Sequence, residues 1–379
     1  MKKLLSFMTG VLTAALLSLP TFAEAAEEAV EAAALSGSAV SAILVNADTG
    51  EAIYENNADE ERAIASTTKI MTALLTLEAG QLDRRFTVDA MAIRVEGTSM
   101  GLSEGDIVTR RALCYGMLLP SGNDAANAAA VSVSGSLTAF ADRMNEKAAM
   151  LGMTHTHFVN PSGLDADGHY STARDMAILT RAALKNEEFR KICGLSSAAL
   201  SFGNPPSRRT LYNSNKLLAR YEGCIGVKTG FTDNARRCLV SAAQREGVTL
   251  IAVTLNAADD WNDHTRMLDH GFTAVTAREI TPDSFALEVA GGTSETVTVS
   301  PERTLTLGLT DESAAALDLR YYVPAFVYGG IAAGEQLGTA EIYYNGELIE
   351  RIALVAEEAC PRAESKKTVW ERFAEAFKK

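Results

Sequence analysis

Three short patterns in this 379-residue chain carry groups suited to nucleophilic chemistry. Ser66-Thr67-Thr68-Lys69 is its one Ser-x-x-Lys, Ser121-Gly122-Asn123 its one Ser-x-Asn and Lys228-Thr229-Gly230 its one Lys-Thr-Gly, in that order. A serine hydroxyl is a weak nucleophile until a neighbouring base takes its proton. Lys69 follows Ser66 by three positions at the start of an apolar helical stretch, so the two side chains share a face and the amine reaches the hydroxyl. A lysine held away from water beside a second positive charge gives up its proton readily and becomes such a base. Lys228 supplies part of that second field. Ser121 is placed to relay a proton to a leaving amine, and Asn123 to hydrogen-bond a substrate amide while holding Lys69. Lys228 and Thr229 offer a cation and a hydroxyl to a terminal carboxylate, and Gly230 leaves room for close backbone approach. The backbone N–H groups of Ser66 and Phe231 are expected to form an oxyanion hole, an effect on the order of 10²–10³ in rate per donor. Taken singly, a serine opening a helix is a cap and a lysine is a solvated one; the ordered set is far more specific.

Other chemistries find less support. The five histidines, His155, His157, His169, His264 and His270, form no His-Glu-x-x-His, so no metal and no cofactor is expected. Two overlapping Gly-x-Ser-x-Gly matches at 97–101 and 101–105 lack the strand before and long helix after that a nucleophile elbow needs. Cys114, Cys193, Cys224, Cys238 and Cys360 are odd in number and irregularly spaced, and read as small core residues without disulfides.

The elements that position these groups follow from periodicity. Residues 41–54 read as a β-hairpin about Asp48-Thr49-Gly50, and 66–77 as a buried helix closed by Gly80. Residues 110–151 are helical and Ala-rich, broken at Leu119-Pro120-Ser121-Gly122-Asn123 by a turn wedged between two apolar helices. Residues 157–165 are loop and 172–185 helix, while 224–229, 238–243 and 248–255 are strands. Thr229 and Lys228 lie on an edge strand of that sheet. After about residue 280 the texture turns to period two, with a hairpin at Asn345-Gly346.

The ordered motif set resembles that of the penicillin-binding protein and serine β-lactamase superfamily. Longer stretches are similar to the D-alanyl-D-alanine carboxypeptidases, the low-molecular-mass penicillin-binding proteins: Ile64-Ala-Ser-Thr-Thr-Lys-Ile-Met-Thr72, Leu118-Leu-Pro-Ser-Gly-Asn-Asp-Ala-Ala126, His157-Phe-Val-Asn-Pro-Ser-Gly-Leu-Asp165 and Gly226-Val-Lys-Thr-Gly-Phe-Thr-Asp233. The resemblance covers nearly the whole chain after the first 25 residues. It implies an α+β fold, a transpeptidase-like domain of helices and antiparallel sheet followed by a small all-β domain. The implied activity is a serine peptidase that removes the terminal D-Ala from peptidoglycan stem pentapeptides through an acyl-enzyme at Ser66, with β-lactams acylating the same serine. Lys69, Ser121, Asn123 and Lys228 are by that pattern the other catalytic or binding residues, with Thr229 on the substrate carboxylate. One departure stands out: Arg236 occupies a position where relatives carry Gly, so a backbone that only Gly adopts there would be strained.

A serine β-lactamase would share the three motifs, yet no Glu motif for deacylation lies between Asn123 and Lys228. A non-catalytic penicillin-binding wall protein would have no need of all six motif residues, and a DD-endopeptidase performs the same reaction on another amine.

Composition and termini set the compartment. With 47% hydrophobic and 22% charged residues the chain must build a packed core, and a net charge of −13 opposes binding to nucleic acid. Residues 1–25 read as a secretory signal peptide, from Lys2 and Lys3 through an apolar run to Ala23-Glu24-Ala25. The catalytic domain is expected over 35–278 and the all-β domain over 280–360. Residues 365–379 place Val369, Trp370, Phe373 and Phe377 on one helical face ringed by Lys and Arg, which suits the surface of an anionic membrane. An extracytoplasmic enzyme held on the outer face of the membrane is the resulting expectation.

Overall fold

The computed structural model describes residue 35 and residues 37–364; the signal peptide and the basic C-terminal helix expected from the sequence lie outside the described residues. Strands β1 Ala39–Asn46, β2 Ala52–Asn56, β7 Cys224–Thr232, β8 Arg236–Arg245 and β9 Val248–Ala257 form an antiparallel sheet in the order β2-β1-β9-β8-β7. Two short hairpins stand beside it, β3 Arg85–Thr87 with β4 Ile107–Thr109 and β5 Ser197–Gly203 with β6 Pro206–Tyr212.

Strand alternation explains the sheet's apolar runs. Ile43, Val45, Val240, Ala242, Ile251, Val253 and Leu255 point to one face and join a helical core, while Ala42, Leu44, Leu239, Ala243, Leu250 and Ala252 point to the other. A sheet covered on both faces reads as continuous hydrophobic sequence, as β9 does. The first face carries α1 Lys69–Glu78, α2 Arg110–Leu118, α3 Asn123–Ser134, α4 Leu137–Leu151, α5 Ala173–Leu184 and α6 Glu187–Cys193. The second carries α8 Asp260–Ala274, through Met267 and Leu268, and the short α7 Leu217–Arg220. Thr109, Ser136, Thr172 and Asn186 each accept a first-turn N–H and so start α2, α4, α5 and α6. Cys114, Cys193, Cys238 and Cys360 are buried.

The chain leaves α8 through β10 Thr276–Ile280, which pairs with β13 Leu305–Leu309. Strands β11 Phe285–Ala290, β12 Thr296–Pro301, β14 Leu317–Tyr322, β15 Phe326–Tyr328, β16 Gln336–Tyr344 and β17 Glu347–Ala356 form a second sheet, with α9 Asp311–Ala315 between β13 and β14. Its order is β14-β16-β17-β12-β11-β15. Leu287, Val297, Val299, Ala340 and Leu354 make its core, and Phe285 of β11 meets Tyr321 of the end strand β14 edge-on at 4.9 Å. Polar contacts tie this part to the first: Asn46 Nδ2 donates to the Gly308 carbonyl at 2.6 Å, and Arg181 Nη1 reaches Glu347 at 2.8 Å.

Candidate active site

A cleft of about 410 Å³ runs along the edge strand β7 and is lined by Ser66, Ser121, Asn123, Thr229, Gly230 and Phe231 together with Gly163, Lys216, Arg237 and Trp261. A larger hollow of about 790 Å³ lies elsewhere, between α5 and the β16–β17 hairpin, and holds none of the motif residues.

Ser66 sits on a single 3-10 turn, Ala65–Thr68, that runs directly into α1. Ala65 has φ +46°, a left-handed backbone for a residue with a Cβ, and so does Ser121 with φ +67°; both hydroxyl-bearing turns hold local strain of the kind concentrated at functional sites. Lys69, the first residue of α1, is fully buried. Its Nζ donates to Asn123 Oδ1 at 2.7 Å and to the Ser162 carbonyl at 2.6 Å, and lies 2.7 Å from Ser66 Oγ. Burial holds the amine well below the usual lysine range, and the nearby Lys228 adds to the shift against the opposing pull of Asp124. A neutral amine has two hydrogens and one lone pair. In its neutral form the amine would therefore suit the two acceptors with its hydrogens and leave the lone pair for the Ser66 hydroxyl proton.

Residues that the sequence motifs did not mark hold this arrangement. Asn160 Oδ1 accepts from Ser162 N at 3.2 Å, Ser162 Oγ at 3.0 Å and Gly163 N at 2.8 Å, so one side chain shapes the loop that presents the Ser162 carbonyl. Gly163, at φ +81°, packs so closely on the Ser66 turn that a Cβ would lie 1.9 Å from the Ala65 carbonyl. His169 accepts from Val159 N at Nδ1, which places its proton on Nε2 facing Thr68 Oγ1 at 2.9 Å. Thr68 in turn donates to the Ala65 carbonyl at 2.8 Å. Burial lowers the His169 pKa to about 4, so the ring is neutral near pH 7. Buried Asp124 accepts from Met100 N, Leu102 N and Ser99 Oγ at 2.9, 2.9 and 2.6 Å and pins the 97–102 loop to the rim. Ser99, inside a Gly-x-Ser-x-Gly match, is thus a loop fastener. The Asn-Pro-Ser-Gly stretch was visible in the sequence, but a role played by a backbone carbonyl leaves no side-chain signature.

One expectation changes. Lys228 does not line the cleft: it is 1% exposed, its Nζ donates to the Thr229 carbonyl at 2.8 Å, and desolvation brings its pKa to about 7. Strand alternation turns it inward, so it acts on Lys69 through its field and presents no cation to the cleft. Asn123 holds Lys69 as expected and lines the cleft, and one hydrogen of its Nδ2 goes to the Glu96 carbonyl at 2.7 Å.

The close approach expected at Gly230 is present. A Cβ there would meet Ala65 Cβ, the Ile64 carbonyl and Ser66 N, each at 3.1 Å, so β7 lies directly against the nucleophile turn. Phe231 is 57% exposed at the rim. Arg236 has φ +58°, the left-handed backbone that the missing Gly foretold, and its guanidinium lies 5.9 Å from the Phe231 ring centre. Arg237, the next residue, enters the cleft and donates to Asp260 Oδ1 through Nε and Nη2 at 3.0 and 2.6 Å.

Residues 26–259 match the D-alanyl-D-alanine carboxypeptidase family of peptidases, S11, and 283–362 match the C-terminal domain of penicillin-binding protein 5. The chain is 32% identical over 377 residues to D-alanyl-D-alanine carboxypeptidase DacF of Bacillus subtilis, covering 96% of both. It is 31% identical over 363 residues to DacC of Escherichia coli, covering 88% of this chain and 86% of that one. Among solved structures, the Streptomyces K15 DD-transpeptidase superposes with a TM-score of 0.59 at 35% identity, over 62% of this chain and 97% of that one. The D-alanyl-D-alanine carboxypeptidase DacD of Francisella tularensis superposes with a TM-score of 0.58 at 26% identity, over 86% and 94%. With a buried lysine on the hydroxyl of a helix-start serine and relatives matching along nearly its full length, the chain belongs to the D-alanyl-D-alanine carboxypeptidase family of serine peptidases.

Proposed function

We propose that this enzyme removes the terminal D-Ala from peptidoglycan stem pentapeptides, with Ser66 as the acylated nucleophile and Lys69 as its base. The observation that carries the reading is the 2.7 Å contact between Ser66 Oγ and a fully buried amine whose pKa burial holds low. In the first step Lys69 takes the hydroxyl proton while Oγ attacks the carbonyl of the penultimate D-Ala. Negative charge on that carbonyl oxygen is received by the N–H groups of Ser66 and Phe231, brought together where Gly230 meets the turn. Ser121 passes the proton from Lys69 to the nitrogen of the departing D-Ala as the peptide C–N bond breaks. Water then attacks the ester, Lys69 accepts its proton, and Ser66 recovers its own as the shortened peptide leaves. Asn123, Ser162 and Lys228 are positioning residues in this scheme. Thr229 and Gly230 border the peptide, which lies along the unpaired edge of β7.

A β-lactam presents a strained amide carbonyl to the same Ser66, and the acyl-enzyme persists unless a carboxylate activates water beside it. Among the described residues the one acidic side chain lining the cleft is Asp260, and Arg237 engages it, which favours the peptidase over a β-lactamase. An extracytoplasmic location follows from the substrate. Export by residues 1–25 and a membrane foot over 365–379 rest on sequence pattern, and so does division into a catalytic domain over 35–278 and an all-β domain over 280–360. No helix among the described residues is long and apolar enough to cross a membrane.

The test is intact-mass analysis with a penicillin beside a D-Ala release assay on a Lys-D-Ala-D-Ala peptide. A stable adduct plus D-Ala release is expected, both lost in Ser66→Ala with at least about a 10³-fold fall in turnover. Rapid penicillin hydrolysis without D-Ala release overturns the reading.

A further inference from the structure

We propose that the edge strand β15 is a lipid-contacting surface, whose Phe326 and Tyr328 rest in the headgroup region of a bilayer beside the basic C-terminal segment. The inference deepens the membrane-foot reading and rests on it, adding a second contact made by the β-rich part itself.

Three observations meet at this edge. From Tyr321 to Gly334 the sequence runs through 14 residues without a charge, the longest such run after residue 280. An exposed sheet edge is ordinarily blunted by charged side chains, so an uncharged one calls for a cover. Strand alternation turns Val327 to the core of the second sheet and the residues on either side outward. Phe326 and Tyr328 are 49% and 71% exposed, with their rings edge-on at 5.4 Å. Glu288, opposite Phe326 on β11, and Arg362 border this aromatic pair. The third observation is where the chain leaves. Gly330 N donates to the Cys360 carbonyl at 2.8 Å, Ala363 N to the Gly291 carbonyl at 2.9 Å and Arg362 Nε to the Gly329 carbonyl at 3.1 Å, so residues 360–363 are strapped along the end of β15. Residue 365 starts within about 10 Å of Arg362, and the segment it opens carries five basic and two acidic residues with Val369, Trp370, Phe373 and Phe377. A surface that takes up this segment is thereby brought to Phe326 and Tyr328.

Chemistry chooses the occupant. Tyr and Trp collect at membrane–water interfaces, and Phe lies on the apolar faces of segments that rest there. A sugar or peptide site needs placed polar side chains around its rings, and between Val323 and Gly334 the Tyr328 hydroxyl is the one polar side-chain group.

Sedimentation of the exported, processed enzyme with phosphatidylglycerol–phosphatidylethanolamine vesicles reads the contact. Phe326→Ser with Tyr328→Ser should weaken binding about 10-fold through the apolar area withdrawn from the interface. That ratio should hold from about 0.1 to about 0.5 M salt, which screens the basic segment and leaves apolar burial in place. D-Ala release from a soluble peptide should stay unchanged, showing that the variant is folded. In the wild type, vesicles should slow amide exchange across residues 323–334. Trp370→Ser with Phe373→Ser tests the foot separately. Binding lost there but intact in the edge variant, with exchange at 323–334 unaltered, would overturn the proposal and leave the foot; binding unaffected there but weakened in the edge variant would overturn the foot instead. A wild type that ignores vesicles would overturn both. Protection of 323–334 without lipid would also overturn the proposal, in favour of a second copy of the chain if the enzyme sediments as a dimer that the edge substitutions dissolve, or of a sugar surface if glycan fragments produce it.

Discussion

Across the cleft, the helical wall and the strand wall differ in how their polar atoms are used. On the helical side Lys69, Asn123 and the Ser162 loop are buried, and each is held by two or more hydrogen bonds within the protein. On the strand side Phe231 is exposed, Thr229 and Gly230 are half-buried on an edge strand, and the Arg237 fork is held along one edge. A proton must move between fixed atoms, and fixing them requires saturating their neighbours before substrate arrives. A ligand must be met by groups that are still open, and those belong at an edge. The wall that performs chemistry is therefore closed, and the wall that reads substrate is open.

Substitutions can break that contrast. The largest effect is expected on the closed side: Lys69→Met should lower acylation by penicillin by about 10³-fold, because the base is gone, while thermal unfolding shifts by no more than about 2 kcal/mol. An inactive variant that had also lost its cooperative transition would instead mark Lys69 as chiefly structural. Gly230→Ala acts where the walls touch. Its Cβ would stand 3.1 Å from three atoms of the nucleophile turn, and pushing β7 outward should cost about 10–100-fold in kcat, since misplacement of about 1 Å suffices for such a loss. Steady-state kinetics showing a change confined to KM would contradict this.

Lys228 connects the walls electrostatically, and its effect is read from pH. Folded Lys228 has a pKa of about 7, below the ordinary 10.5. Between those values the unfolded chain keeps a proton that the fold has released, so this group makes stability rise with pH from about 7 to 10.5. Lys228→Met should flatten that rise in pH-dependent denaturation. It should also move the acidic limb of the kcat/KM profile to higher pH, by on the order of one unit, because the field that lowers the Lys69 pKa is weakened. A limb unmoved by the substitution would show that burial alone tunes Lys69.

The smallest effect belongs to the outermost residue. Left-handed backbone costs a residue with a Cβ roughly 1–2 kcal/mol, and Gly returns roughly 0.5–1 kcal/mol of that through its freer unfolded chain. Arg236→Gly is thus expected to stabilise the fold by about 0.5 kcal/mol, seen as a small rise in Tm with D-Ala release nearly unchanged. A fall in Tm would mean that the contact with Phe231 outweighs the strain.

What could be read from the chain and what could not follows from the range of the interactions. The hairpin at 41–54, the helix behind Ser66 and the turn at Ser121 come from local spacing and turn chemistry, and they stand where the sequence places them. The β5–β6 hairpin escaped notice because the alternation of β5 is carried by Ala198, Leu200 and Phe202 with no β-branched residue among them, and most side chains of β6 face solvent. Arg237 escaped because an arginine in a run of two resembles a solvated pair until Asp260, 23 residues on, is folded beneath it.

Sequence alone therefore determined the pairing of Ser66 with Lys69, since three residues at a helix start fix their separation, and it determined the strain at Arg236, since only Gly occupies left-handed backbone freely. Tertiary structure alone decided that the Lys69 amine is dry and low in pKa, because the carbonyl and amide that hold it arrive from Ser162 and Asn123, 93 and 54 residues away. It also decided which cation faces the cleft. Lys228 and Arg237 carry the same charge on neighbouring strands, and only the side of the sheet against which each packs turns one into a buried field and the other into an open donor.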